Sequence, residues 1–468
     1  MSGDGLTPEF VRSATGGRIV ARGDAPGPIR GVSIDTRSLT PGQVFVAIPG
    51  ERSDGHTFLP QAAAQGAPLA IVERDVEHPA GLTVIRVGSC RRALVALAKA
   101  YRRELRSVRV VGVTGSNGKT TTVRLIDAVL GGSLRGSASI KSFNNELGVP
   151  LTVLNASPGD QYLVCEIGMS TPGEIRRLAA IARPHVAVVT SIGHAHLGGL
   201  GSIDAIMREK LSLLLELEPG GLGIVHDDPV IEIPPGVDAD GVIRFGTSEN
   251  AAVRVAEIAI DRVATRFELA DGGRFRLSLL GKHNALNAAA AIAVGRRFGL
   301  DDAAIAAGLA AARGPAMRLD RATIDGIDVI NDAYNANPES VKAAVLGFAD
   351  FAPEPGRRVL VLGSMLELGE LSEALHRSVG EAVAETVREG RGPAVVVLVG
   401  DEAGVMAPAL REILPDRAVV CLDSVGDGSA VAEMLKPGDA VLLKASRSVA
   451  LERVVEALRG SSAPAAKG

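Results

Sequence analysis

The sequence predicts an α/β protein of three domains, the central one a doubly wound sheet. Three observations carry this. The 468 residues are too many for a single core. Short apolar runs alternate with longer helical patterns almost throughout. In "GVTGSNGKTTTVRLI" (112–126) a β-branched strand enters a helix through a Gly-rich turn, the step from which such sheets are built.

Taken in order, residues 1–105 form the first domain. "QVFVAI" and "LAIVER" read as its strands and "CRRALVALAKAYRREL" as its closing helix. The second domain, 106–313, opens on the buried-type strand "SVRVVGVT". It runs through "QYLVCEIG" and "HVAVVTSIG" to the Ala-rich helix "HNALNAAAAIAVGRRFG". The third, 314–460, begins near "GPAMRLD" and carries the strands "RRVLVLG", "AVVVLVG" and "DAVLLKA". Residues 461–468 are small and polar and read as a disordered tail.

Composition excludes several classes. Apolar content of 46% and charged content of 22% are those of a globular protein. A net charge of -4 leaves no broad basic surface, and 3% aromatics with no Trp leave no base-stacking platform, so nucleic acid is not the partner. Cys90, Cys165 and Cys421 are too far apart in sequence for a zinc site or a disulfide framework, which suits a reducing compartment. The start lacks a secretory pattern, and no apolar run approaches the ~18–20 residues of a membrane span. A cytoplasmic monomer is expected.

The turn is built for phosphate. Gly115 and Gly118 permit tight backbone, and Lys119 can place a cation on terminal phosphates. Thr120 can offer a hydroxyl to Mg²⁺ at a helix N-terminus, where free N–H groups favour anions. The longer consensus needs Gly at 113, where this chain has Val113; the shorter G-x-x-G-K-T is intact.

In doubly wound sheets ligands collect at the carboxyl ends of strands. "YLVCEIG" delivers Glu166 there, suited to Mg²⁺, and "VAVVTSIGHAH" delivers His194 and His196, of which His196 is the stronger candidate. In "SIDAIMREKLSLLLEL", helical spacing puts Lys210 on one stripe with Ile206, Leu213, Leu214 and Leu217. On pattern alone this is a lysine whose stem is buried and whose ammonium reaches water.

These stretches together resemble the Mur ligase family of ATP-dependent peptidoglycan-precursor ligases. The resemblance rests on "TGSNGKTT", "SFNNELGVPLTVL", "EIGMSTPGEI", "IGHAHLGGLGS", "GKHNALNAAAAI" and "NDAYNANPESVKAA", and covers about residues 30–455. Within the family, "DAYNANPES" and "VLGSMLELGELSEALHRSVG" are similar to the branch that adds D-alanyl-D-alanine to UDP-MurNAc-tripeptide. The resemblance implies a central P-loop ATPase sheet and a smaller N-terminal α/β domain binding UDP. It also implies a Rossmann-like C-terminal domain that closes over ATP and binds the incoming dipeptide.

It assigns roles as well. Gly115, Ser116, Asn117, Gly118, Lys119, Thr120 and Thr121 would bind ATP phosphates. Asn284 and Asn287, with His283 nearby, would lie at adenine; Arg318, Asp332 and Asn335 would close over ribose and phosphates. Thr120, Glu166, His196 and Lys210 would hold two Mg²⁺, Lys210 as a CO₂-derived carbamate, so that Lys119, Lys210 and His196 are the catalytic candidates. Asp35, Thr36, Arg37, His56 and Asn144 would bind the UDP substrate. Ser191, Ser364 and Ala445 stand where the family commonly has Asn, Asp and Gly.

The implied reaction activates a carboxylate as an acyl phosphate, which an amine then attacks. Positioning and charge neutralisation suffice for this, without a nucleophilic side chain. The alternatives are a sister ligase adding the third residue, a folylpolyglutamate-type ligase, or a nucleotide switch. A guanine-reading switch needs N-K-x-D, which does not occur.

Overall fold

A computed structural model describes residues 6–23, 29–51, 53–140, 142–195, 197–228, 231–261, 264–315, 317–350 and 356–461. His196 and residues 462–468 of the expected tail lie outside that set. Ser461, assigned to the tail, instead ends the helix Glu452–Ser461. Among the described residues no helix is long and apolar enough to cross a membrane.

The strands of the central domain form the largest sheet. From one edge the order is Gly136–Ala138, Tyr162–Glu166, Arg109–Thr114, Val186–Val189, Leu222–His226, Val242–Gly246 and Val253–Ile260, all parallel. Alternate residues of these apolar runs enter opposite cores. Val110, Leu163 and Cys165 pack on one face, and Val111, Val113 and Val164 on the other. The chain passes from Tyr162–Glu166 over Arg109–Thr114 to Val186–Val189. The helix Lys119–Gly131 covers one face and Glu174–Ala182 the other. This reversal of direction opens a crevice at the strand ends, where the phosphate loop, Glu166 and Thr190 emerge.

Two further strands, Thr265–Leu269 and Arg274–Leu277, extend this sheet as antiparallel ribbons that the sequence reading passed over. "TRFEL" and "RFRL" alternate buried and exposed residues; they are half-buried strands without a continuous apolar run. The helix expected over "SIDAIMREKLSLLLEL" is also shorter. It spans Ile203–Leu211, and Ser212–Glu216 tightens to a 3₁₀ turn as the Ser212 hydroxyl donates to the Glu209 carbonyl at 2.6 Å.

The first domain carries a five-stranded sheet in the order Arg18–Ala21, Thr83–Arg86, Leu69–Val72, Val44–Val46, Val32–Ser33. Its closing helix, Cys90–Glu104, shares one apolar core with the central domain. The junction is also bonded. The Arg102 guanidinium, only 6% exposed, donates to the carbonyls of Ala182, Arg183 and Leu105 and so caps the end of the helix Glu174–Ala182. The Asn155 amide brackets Val32, accepting from its N–H at 3.2 Å and donating to its carbonyl at 2.9 Å.

The C-terminal domain has a six-stranded sheet, Asp320–Ile324, Ile327–Asn331, Ala440–Lys444, Arg358–Gly363, Val395–Val399, Val419–Leu422, parallel except for its first pair. It has its own core on each face. A domain with cores of its own can move as a body relative to the rest of the chain.

Candidate active site

The phosphate loop is shaped by its neighbours. Gly115 has φ 152°, and a Cβ there would lie 1.9 Å from the Thr190 hydroxyl. Gly118 has φ 80°, and a Cβ would lie 2.4 Å from the Asn287 side-chain oxygen. Glycine is thus required twice, by conformation and by space. The loop is held by the turn after Val186–Val189. Ser191 accepts from the N–H of Asn117 on its hydroxyl at 2.8 Å and from that of Ser116 on its carbonyl at 2.9 Å. The Ser116 hydroxyl donates to the Gly193 carbonyl at 3.0 Å and accepts from its N–H at 2.9 Å. The serine at 191 thus anchors the loop directly.

Lys119 starts the helix and folds back, its ammonium donating to the Gly115 carbonyl at 2.6 Å. The residue as a whole is half-buried, but the ammonium is turned inward. That burial pushes it down from 10.5 to about 8, against the opposing pull of Glu166.

Glu166 is fully buried. One carboxylate oxygen accepts from the Asn144 amide at 2.7 Å, and the other has no partner among the described residues. A buried oxygen left open in this way is suited to a cation. Thr120, 2% exposed, turns its hydroxyl to Ser142 at 3.2 Å. Asn144, expected to touch the UDP substrate, here orients Glu166.

Lys210 corrects the pattern reading. It is 1% exposed, so its ammonium does not reach water, and among the described residues it has no hydrogen-bond or ion-pair partner. Burial, with the nearby Lys119 charge second, pushes it well below its ordinary value. Lys210 lies one turn after the fully buried Ile206 on the inward face of the helix Ile203–Leu211, near Lys119 of the phosphate loop.

A cavity of about 250 Å³ lies between the central and C-terminal domains. It gathers Ser116, Asn117, Gly118, Lys119, Thr121, Asn284 and Asn287 from the central domain with Arg318, Asp332 and Asn335 from the C-terminal one. Gly115, Thr120, Glu166 and Lys210 lie behind this wall. Asn284 and Asn287 are joined at 3.2 Å, and Asn287 also accepts from Thr122 at 3.3 Å. His283 is half-buried, and burial holds its ring below the usual histidine value. The Arg318 guanidinium lies 4.5 Å over the Tyr334 ring.

The cavity also holds residues that the sequence reading did not pick out, chiefly Asn337, Glu339 and Lys444. Lys444, 3% exposed, donates to Asp332 at 2.6 Å and to the Asn335 carbonyl at 3.1 Å. It ends an apolar strand just as Glu166 does, and the same reasoning would have found it. Asn337 caps the helix Pro338–Asp350, accepting from the Ser340 N–H at 2.9 Å, and faces Asn117 across the cavity. His194 pairs with Glu339.

The other two family departures are accommodated locally. The Ala445 methyl fits because residue 363 is glycine; a Cβ there would lie 2.6 Å away. Ser364 bonds to Glu402 and holds its carboxyl below the usual range. In the first domain, Arg37 pairs bidentately with Asp35 at 2.6 and 2.9 Å, at the surface. Thr36 and His56 turn their polar atoms inward, Thr36 to Gln61 and His56 to Asp54 and the Glu73 N–H. Cys90, Cys165 and Cys421 are all free thiols.

Three family models match the chain. They are the Mur ligase family catalytic domain over residues 28–102, the Mur ligase middle domain over 113–295, and the Mur ligase glutamate ligase domain over 317–447. A UDP-N-acetylmuramoyl-tripeptide–D-alanyl-D-alanine ligase of Bacillus subtilis is 38% identical, with 92% of this chain and 93% of that one covered. A crystal structure of MurF from Acinetobacter baumannii superposes with a TM-score of 0.82 at 30% identity, covering 97% of this chain and 99% of that one. MurF ligase from Thermotoga maritima, solved in complex with ADP, gives 0.75 at 30% identity, covering 92% and 97%.

Proposed function

This chain belongs to the Mur ligase family, and from that we infer that it joins D-alanyl-D-alanine to UDP-N-acetylmuramoyl-tripeptide with conversion of ATP to ADP and phosphate. One observation carries the reading. A single cavity unites the phosphate loop with Asp332 and Asn335, from the D-A-Y-N-A-N-P stretch that is similar to the dipeptide-adding branch. The reading includes a monomer located in the cytoplasm.

In the reaction the tripeptide carboxylate attacks the γ-phosphorus in line, and the bond to the bridging oxygen breaks to release ADP. The dipeptide amine then attacks the acyl carbon, loses a proton, and phosphate leaves. Lys119 leaves its loop carbonyl for the terminal phosphates and neutralises charge as it shifts to the bridging oxygen. Asn284, Asn287 and His283 orient the base, while Arg318, Asp332 and Lys444 close the other side. Closure of the C-terminal domain excludes water from the acyl phosphate.

Mg²⁺ fits the donor set. Thr120 and the open oxygen of Glu166 would hold it, with phosphate oxygens completing the shell, and it would supply charge neutralisation. His196 and a carbamylated Lys210 would hold a second ion.

Asp35 and Arg37 are assigned to the UDP substrate, because they present a fixed charged fork at the surface of the first domain. Arg37→Ala is expected to raise the KM for the UDP substrate about tenfold, the size of one charge-assisted hydrogen bond. The KM for ATP should stay within about twofold, and initial rates with each substrate varied decide it. An equal rise in both would remove Arg37 from the substrate site.

The whole reading is tested with purified protein, ATP and three acceptor–amine pairs assayed separately, UDP-MurNAc-tripeptide with D-alanyl-D-alanine, its dipeptide precursor with a diamino acid, and a folate with glutamate, followed by mass spectrometry. D-alanyl-D-alanine should give the pentapeptide. Product from a diamino acid acting on the dipeptide precursor, or from glutamate on a folate, would favour a sister enzyme.

A further inference from the structure

Two pairs of side chains cross the cavity between the domains, and both reach the phosphate loop or the turn that braces it. Asn117, inside the loop, and Asn337, at the start of the helix Pro338–Asp350, bond reciprocally. Asn337 donates to the Asn117 oxygen at 2.8 Å, and Asn117 donates to the Asn337 oxygen at 3.3 Å. Beside them Glu339 takes the ring of His194 on one oxygen and lies 3.4 Å from the His194 backbone N–H. A Cβ on Gly193 would lie 3.1 Å from the Glu339 carboxyl carbon, so the Glu339 carboxylate packs directly on the Gly193 backbone. Gly193 is itself the residue that holds Ser116 through two hydrogen bonds.

We propose that Asn337 and Glu339 form a two-point clasp that closes the C-terminal domain onto a correctly formed phosphate loop, and are positioning residues for phosphoryl transfer. This rests on the ligase reading above. The physical case is one of connectivity. The C-terminal domain has its own cores, so its two large cores do not fix it to the central domain, and hydrogen bonds at the boundary can bias its orientation. Asn337 also caps its own helix through Ser340, so the helix carrying Glu339 moves as one rigid piece with the clasp. A loop displaced from Ser191 and Gly193 would misplace Asn117 and His194 together. Closure is therefore favoured only on a loop already arranged for phosphate. Glu339 keeps its second oxygen buried and without a partner among the described residues, a state that the closed arrangement must offset through the His194 bond.

The test uses the full chain. Asn337→Ser keeps a helix cap, since serine caps as well as asparagine, but is too short to reach Asn117. Glu339→Ala removes the second point, and Glu339→Gln keeps an acceptor for His194. Compaction is read by small-angle X-ray scattering at saturating Mg²⁺ and AMP-PNP, alongside kcat, KM and thermal melting. The double variant N337S/E339A should be more extended than wild type and melt at the same temperature. Its kcat should fall roughly 10- to 100-fold, as for two lost interdomain hydrogen bonds. E339Q should restore most of the compaction and rate. A double variant as compact as wild type overturns the clasp, and so does a lower kcat without any change in compaction. If the wild type fails to ligate the dipeptide, the ligase reading fails, while the scattering comparison still decides the clasp. Should the double variant not fold, N337S and E339A singly give the same readouts.

Discussion

Lys119→Ala is expected to abolish phosphoryl transfer, lowering kcat by roughly 10³-fold or more, while leaving the fold intact. The ammonium stands at the N-terminus of the helix Lys119–Gly131 and is bonded to a loop carbonyl, not to a carboxylate. It is poised to transfer to a stronger anion. Removing it leaves the loop anchored by Ser191 and Gly193, which do not depend on the lysine. The fold also loses nothing electrostatically. Burial lowers Lys119 from 10.5 to about 8, so the unfolded chain holds its proton more tightly between those values. This lysine therefore opposes folding when charged, and its contribution improves as pH rises from 8 to 10.5. Thermal melting at pH 7 should accordingly show no loss for the variant. The same position of the titration predicts that kcat/KM for ATP in the wild type falls above about pH 8, where the free enzyme loses this charge. Turnover near the wild-type rate in Lys119→Ala would remove the loop from the chemistry.

Lys210 carries the second large effect. A buried ammonium beside Lys119 is unfavourable, and burial with the nearby Lys119 charge lowers the affinity of Lys210 for its proton, which favours the free amine. A free amine reacts with CO₂ to form an N–C bond, releasing a proton and leaving a carbamate anion. On the proposed reading that anion would offset the Lys119 charge and add an oxygen donor for a cation. Lys210→Ala should lose at least ~10²-fold in kcat. Short-chain carboxylates in solution should restore part of it by filling the space left. Lys210→Arg should stay inactive, because guanidinium remains protonated and cannot be carbamylated. Protein equilibrated with ¹³CO₂ should give a carbamate carbon signal that is absent from Lys210→Ala. No such signal, with Lys210→Arg fully active, would leave this residue a packing lysine.

Much of the molecule was legible before any coordinates. The strands Arg109–Thr114, Tyr162–Glu166, Val186–Val189, Arg358–Gly363, Val395–Val399 and Ala440–Lys444 are continuous apolar runs, and strands buried on both faces can be little else. The half-buried strands from Thr265 to Leu277 were missed because alternation over four or five residues is a weak signal. Glu166 was found because an acid ending a buried strand must face a site or cost energy. Lys444 obeys the same rule and was overlooked.

The sequence by itself determined the class of fold, the phosphate loop with its two required glycines, and the family, because these rest on local spacing and on residue types that tolerate no substitute. Only the tertiary structure decided which polar groups are shared. It showed that Asn144 holds Glu166, that Ser191 anchors the loop, and that His56 is tied inward to Asp54. It also showed that Lys210 is buried without a partner among the described residues and that Asn337 and Glu339 face the central domain. Each of these pairs residues distant in the chain or depends on which elements pack together. A hydrogen bond needs its two atoms within about 3 Å. Sequence spacing sets such distances within an element, and only the packing of elements sets them between domains.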